Sequence, residues 1–376
     1  MIIVPYPPLL CYTINMKSIL GIPNSILAHF GAVPHHTTLP ILDEKLKRGW
    51  KNVVLLIFDG LGTDVLQAHA PNGFLWRHRI GDLASVNPYT TTSALTTLET
   101  GLSPMEHEWL GWSCYFREID ECVDLFSGKY SGTERQAADY PVVWENIGFK
   151  HLFAQIRDAN PTMDCCYVSP FSKPAASTCE EVCARIAALC AGEGRRYIYA
   201  YHFRPDYDMH EHGCYDARVK DSVQSFDRQV ERLSGELTDT LLIVTADHGM
   251  HDVKMLCVED YPEIAECLRV PPSREPRNLS FFVKEEYMDI FPERWNARFS
   301  DSFHLMTGDE AFARGIFGDG TPHARARDFI GDYVAQATRD FALWYRDENG
   351  ESKDFLACHA GLCGDETTVP LIIIER

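Results

Sequence analysis

VVLLIFDG, residues 53–60, decides the fold. Six apolar residues follow one another without the alternation of a strand that keeps one face in water. A run this short, closed by Asp-Gly, reads as a strand buried on both faces, as in a parallel sheet covered by helices. Four further runs repeat the pattern: CCYVS (165–169), YIYAYH (197–202), LLIVTA (241–246) and VPLIII (369–374). All five are read as parallel strands. Helical patterns at 178–191 and 216–235 lie between them, the first opening with the capping-box pair Thr178…Glu181. The alternation predicts an α/β protein with a doubly wound, mostly parallel central sheet and helices on both faces. Residues 113–140 and 251–345 read as excursions from that core, forming small cap insertions on a single domain spanning 1–376. In the second, FGDGTPHARARDF (317–329) predicts a loop leading into a helix.

Composition narrows the function. Hydrophobic residues make up 45% and charged residues 24%, the balance of an ordinary soluble protein. A formal charge of −19 argues against a nucleic-acid polymer as partner, because that needs clustered cations. The 13 cysteines are scattered, with neither a CxxC pair nor zinc-finger spacing. That pattern argues against a disulfide framework and for a reducing cytoplasm. Cys179, Cys183 and Cys190 read as small apolar packing on the first helix. No apolar run is long enough to span a membrane. The opening MIIVPYPPLLCYTINMKSILG is broken by prolines and lacks a basic start, so it is not read as a signal peptide.

Polar residues gather where the strands end. Asp59 and Gly60 close the first. YAYHFRPDYDMHEHG (199–213) carries Asp206, Asp208, His210 and His212 after the third. IVTADHG (243–249) puts Asp247, His248 and Gly249 after the fourth, and ACHAG (357–361) puts His359 ahead of the last. Sites in open α/β sheets form beyond the carboxyl ends of the strands. Each piece alone has a bland reading: Asp-Gly is a turn signature, and a single histidine is usually a surface or hydrogen-bonded one. Jointly they offer three carboxylates, three imidazoles and a hydroxyl, donors suited to two Zn²⁺ ions. Two metals together can clamp both the entering and the leaving oxygen of a phosphoryl group. Asp206/His210 and Asp208/His212 share the same four-residue spacing, so spacing alone does not choose between them.

The hydroxyl comes from NPYTTTSALTTLETG (87–101), three threonines opening a small-residue helix that ends at Gly101. Read by itself, the run is a helix cap. The alternative is a nucleophile at a helix N-terminus that seats an anion.

The order of these motifs resembles the alkaline phosphatase superfamily, in particular its type I phosphodiesterase/nucleotide pyrophosphatase branch. The motifs are Asp-Gly, Thr before a helix closing on TGLSP, Asp-x-x-x-His-x-x-Gly, Thr-Ala-Asp-His-Gly and a late His. The resemblance runs from about residue 50 onward. It implies an alkaline phosphatase-like fold and a metal-dependent hydrolase of phosphodiester or pyrophosphate bonds. Pro88 and Gly101 both select Thr91 as nucleophile, leaving Thr90 and Thr92 as cap or supporting residues. By the same matching, Asp59, Asp247 and His248 hold one zinc with Thr91, and Asp206, His210 and His359 hold the other; Mn²⁺ is the alternative ion. Pro205 and Gly213 select the Asp206/His210 register, which leaves Asp208 and His212 in supporting positions or facing solvent. His107 is implied to be a structural hydrogen-bonder, and His323 matches no ligand motif. The implied substrate is a small phosphate ester, a nucleotide among the candidates, with no membrane partner.

Some features set this chain apart from the branch. Where nucleotide pyrophosphatases carry an Asn three residues after the nucleophile, this chain has Ala94, so a non-bridging oxygen needs another donor, such as the backbone N–H of Thr92. Monoester phosphatases clamp the dianion with an Arg, and the nearest downstream of Thr91 is Arg117. That favours diesters over the nearest alternative, a phosphomonoesterase; a phosphonate hydrolase of the same superfamily is a further alternative. A sulfatase or a cofactor-independent mutase needs a different nucleophile. A catalytically silent metal-binding protein is the reading from another class. Trp109, Trp112 and Tyr115 are either core aromatics or a stacking surface for a base.

Overall fold

The computed structural model describes residues 17–376. The reading of the opening segment therefore falls mostly outside the described residues. A six-stranded sheet forms the centre, in the order Arg79–Ala84, Thr368–Glu375, Thr240–Thr245, Asn52–Phe58, Arg196–His202 and Asp164–Val168. Val53 through Phe58 are fully buried. Each such side chain contributes on the order of 1.5–3 kcal/mol on leaving water, which is why an unbroken apolar run settles here. The long helices Cys179–Ala191 and Ala217–Glu236 pack beside the sheet. Thr178 and Glu181 form the reciprocal capping box at the start of the first.

Four strands run parallel: Asp164–Val168, Arg196–His202, Asn52–Phe58 and Thr240–Thr245. The reading of the last apolar run as a parallel strand is corrected. Thr368–Glu375 lies antiparallel to both of its neighbours. The reason is chain length. His359 stands at the carboxyl edge of the parallel strands, and only eight residues separate it from Thr368, where the last strand starts. A parallel return needs a crossover of a dozen or more residues, so the chain must run straight back. Arg79–Ala84 pairs with it antiparallel and so points the same way as the parallel four. This strand has no apolar run to announce it: four of its six residues are only partly buried or exposed.

Strands from the two excursions pair into a second, antiparallel sheet. Ser113–Phe116 and Glu121–Asp124 join Ser273–Glu275, Asn278–Phe281, Phe303–Thr307 and Tyr333–Ala337. An aromatic core of Phe281, Phe291, Trp295 and Phe303 packs against it. The helix expected after the loop at 317–325 is Ala326–Ile330. No helix among the described residues is long and apolar enough to cross a membrane, and all twelve cysteines among them are free.

Candidate active site

Strand directions bring the polar residues to one edge. Asp59 follows Asn52–Phe58, and Asp247 and His248 follow Thr240–Thr245. Asp206 and His210 sit on the helix Asp206–His212, beyond Arg196–His202. Because Thr368–Glu375 runs backward, the loop leading into it lies on this same edge and carries His359. The helix Thr91–Thr100 enters from beyond Arg79–Ala84 and ends at Gly101, whose φ of +80° closes it.

Glycine permits the close approach of these segments. A Cβ on Gly60 would stand 2.9 Å from the Cβ of Asp206, and the residue's φ of +70° also favours glycine. Gly249 is tighter: a Cβ there would meet the carbonyl oxygen of Asp365 at 1.8 Å.

Thr91 Oγ1 lies 3.1 Å from His248 Nε2 and 3.4 Å from Asp59 Oδ1. His248 Nε2 is in turn 3.3 Å from Asp59 Oδ1 and 3.5 Å from Asp247 Oδ2. The other ring nitrogen, Nδ1, donates to the carbonyl of Gly249 at 2.9 Å, which turns Nε2 toward the carboxylates. His210 is oriented in the same manner, with Nδ1 donating to Ala357 O at 2.7 Å and Nε2 lying 3.4 Å from Asp206 Oδ2. His359 Nε2 stands 3.9 Å from Asp206 Oδ1, and its ring is 4.0 Å from that of His248. All seven residues therefore meet.

They form two overlapping donor groups, Asp59/Asp247/His248 and Asp206/His248/His359, each with ligand atoms within 4.8 Å of one another. The second group differs from the partition read in the sequence, since His248 stands between the two and His210 reaches only Asp206 closely. Asp208 and His212 point away. Asp208 pairs with Arg204 and accepts from Ser222 Oγ at 2.9 Å, while His212 faces Glu211 at 3.7 Å.

The donor set fits divalent metal. Asp206 Oδ1 and Asp247 Oδ2 are buried without a hydrogen-bond partner, a costly state for a carboxylate unless a cation meets it. Burial pushes the Asp247 carboxyl up to about 7, with the Asp59 charge adding to it. Burial likewise pushes Asp206 up to about 7 and raises Asp59. His248 is raised to about 10: burial opposes its charge, but Asp247 and Asp59 outweigh burial. His210 falls to about 4, through burial first, and His359 falls well below the usual imidazole range for the same reason. Three crowded carboxylates that resist ionisation and two imidazoles held neutral are the charge states a cation reverses and exploits.

Around this edge opens a cleft of about 310 Å³, lined by Thr90, Thr91, Trp112, His210, Lys353 and His359 among others. Of the three aromatics after the threonine helix, only Trp112 reaches it and is part-exposed. Trp109 is buried, its indole N–H donating to Ile147 O, and Tyr115 is buried against Phe282.

Thr90 occupies the N-cap position, yet its hydroxyl makes no cap hydrogen bond. It donates instead to Glu275 Oε1 at 2.6 Å, and the same oxygen accepts from Trp112 N–H at 2.7 Å. Of the two roles left open for Thr90, its side chain does not take that of a cap: a buried acceptor from the second sheet competes successfully for the hydroxyl. The hydroxyl of Thr92 is buried without a partner. His107 ties the far end of the helix down, with Nδ1 accepting from Trp109 N–H and Nε2 meeting Thr97 Oγ1, each at 3.1 Å. Burial lowers its pKa to about 3, so the ring is neutral. His323 lies outside the cluster, beside Met105 and Arg325.

Sequence reasoning missed Tyr201, Glu275 and Lys353. Tyr201 donates its hydroxyl to Asp59 Oδ2; its place one residue before the end of a buried strand was the signal that could have found it. Glu275 and Lys353 had none, since each reaches the cleft from a distant segment.

The sequence profile of the type I phosphodiesterase/nucleotide pyrophosphatase family matches residues 53–353. The chain belongs to that family. It is a phosphodiesterase/pyrophosphatase-family protein with the fold of the alkaline phosphatase superfamily. Solved structures of similar fold include human ectonucleotide pyrophosphatase/phosphodiesterase 5, with a TM-score of 0.65 at 15% identity, covering 85% of this chain and 87% of that one. The murine protein, an inactive variant in complex with AMP, gives a TM-score of 0.63 at 14% identity over the same shares. Phosphonoacetate hydrolase from Sinorhizobium meliloti in complex with phosphonoformate gives 0.61 at 17% identity, covering 86% of this chain and 89% of that one. No curated protein sequence matches.

Proposed function

We propose that this family member is a two-metal hydrolase of phosphodiester or pyrophosphate bonds with Thr91 as its nucleophile. The observation that carries the reading is the place of Thr91 Oγ1. It sits at the start of a ten-residue helix, within 3.4 Å of two members of the Asp59/Asp247/His248 donor group. Asp59, Asp247, His248 and Thr91 would hold one ion; Asp206, His210 and His359 would hold the other. Nitrogen and carboxylate donors favour Zn²⁺, with Mn²⁺ as the alternative. Bound there, two such ions supply Lewis acidity to the phosphoryl oxygens and acidify a hydroxyl.

The remaining work falls to the chain. Three aspartates and a threonine alkoxide carry four negative charges, which balance two dications and leave the site near neutral toward an anionic substrate. Thr91 Oγ1 gives up its proton to solvent and attacks phosphorus; the new P–O bond forms as the bond to the leaving oxygen breaks, the leaving group takes a proton from solvent, and Thr91 is left esterified by the remaining phosphoryl group. Water then displaces Thr91, its hydroxide going to phosphorus and its proton to Oγ1. The free N–H groups at the start of the Thr91 helix face the phosphate and offset the charge that develops. With Ala94 buried and apolar, backbone N–H groups take the place of a side-chain amide. The free cysteines support a reducing, cytoplasmic setting.

The test is turnover of bis-p-nitrophenyl phosphate against p-nitrophenyl phosphate after chelation and zinc return. Zinc is expected to restore activity, with the diester faster. Thr91→Ala is expected to lose turnover while still binding metal, and a quenched wild-type reaction should carry a covalent adduct on Thr91. Full activity without metal, or an active Thr91→Ala protein, refutes the mechanism.

A further inference from the structure

We infer that Lys353 selects substrates bearing a second anionic group, a carboxylate or phosphate remote from the reacting phosphorus; this rests on the phosphoryl-transfer reading of the adjoining site. The ammonium lies 5.4 Å from the ring centre of Phe355, 5.7 Å from Trp112 and 5.9 Å from Trp344. All four residues line the cleft that holds Thr91, His210 and His359. Three aromatic faces within about 6 Å hold an ammonium by their quadrupoles. They provide no oxygen acceptors for its N–H groups, so the charge stays available.

Among the described residues no carboxylate forms a close ion pair with Lys353, although Glu351 and Asp354 flank it in the loop. Glu275 and Asp124 feel its charge only from farther off. The buried carboxylate in the cleft, Glu275, has its Oε1 engaged by Thr90 and Trp112. Glu275 thereby fixes Trp112 as one wall of the lysine's seat. A cationic headgroup is excluded as occupant, because it would meet a like charge already seated on the rings. An uncharged substituent would leave the ammonium without a role. A second anion satisfies it and is drawn toward the open side of the metal-ligating cluster.

The experiment compares three ligands on zinc-loaded protein by calorimetry: propylphosphonate, 2-carboxyethylphosphonate and ethylene-1,2-diphosphonate. The second and third add a carboxylate or a phosphonate to a similar skeleton. Wild type is expected to bind at least one of them about tenfold more tightly than propylphosphonate, the scale of a close charge pair. Which one is preferred identifies the anion. Lys353→Met should level the preference, and Lys353→Arg should keep it. Lys353 is exposed, and thermal unfolding verifies that both variants fold. Equal or absent binding of the three by wild type, or a preference that survives in Lys353→Met, overturns the inference. Turnover of bis-p-nitrophenyl phosphate is measured in parallel: its absence refutes the proposed hydrolysis, whereas the binding preference is read without it.

Discussion

Replacing Glu366 by alanine is expected to lower stability and loosen the loop that carries His359. Glu366 and Arg277 are fully buried and paired through two hydrogen bonds of 2.7 Å. Glu366 also accepts from Gly361 N–H at 2.7 Å and from Cys363 N–H at 3.1 Å, which pins the turn just after His359. Arg277 directs its remaining donors to the carbonyls of Arg339 and Phe341 and to Cys363 Sγ. Removing the carboxylate leaves a guanidinium in the interior without a counter-charge, a loss of about 3–5 kcal/mol. At about 2.1 cal/mol/K per residue, unfolding a chain of 376 residues has an entropy near 0.8 kcal/mol/K. The expected fall in Tm is therefore about 4–6 °C. Calorimetry reads it, and zinc titration reads the weaker site through His359. Replacing both partners, Arg277→Met with Glu366→Leu, should recover part of the loss, because no unpaired charge remains. A Tm within about 1 °C of wild type in Glu366→Ala, a loss of no more than about 1 kcal/mol, would refute the reasoning that this pair braces the loop.

Two further predictions concern histidines. His107 has a folded pKa of about 3, below its unfolded value of about 6.5. Its contribution is therefore complete above pH 6.5 and is lost as pH falls through that value toward 3; urea titrations at pH 7 and pH 5 should show wild type losing about 2 kcal/mol more than His107→Asn, and equal losses would sink the assignment. His210→Ala should lose about one equivalent of zinc and nearly all diesterase rate, whereas His212→Ala should keep both ions; the reverse result places the register two residues too early.

The central strands could be read because burial on both faces demands apolar residues at every position, and VVLLIF has them. Direction could not be read in this way: VPLIII is as apolar as a parallel strand, and only its short tether to His359 reverses it. Arg79–Ala84 escaped because an edge strand has no need of continuous apolar residues. The residues of the candidate metal cluster were legible because strand ends place Asp59, Asp247 and His248 in fixed local contexts. The surroundings were not. Thr90 meets Glu275 across 185 positions of sequence, and Lys353 lies in a polar loop indistinguishable from a solvated one until Trp112 and Trp344 are seen beside it.

The reversed strand also sets an order of assembly. Thr368–Glu375 lies inside the sheet, between Arg79–Ala84 and Thr240–Thr245, although it is the last of the six to be synthesised. The parallel four can associate on the ribosome while Arg79–Ala84, and the threonine helix that follows it, still lack the strand that joins them to the rest. Long-range pairing of this kind comes late in folding. Its arrival seats His359 and closes the gap beside Thr91 in one event, so a nascent chain lacking it carries an unfinished cluster, and completion of the sheet is also completion of the site.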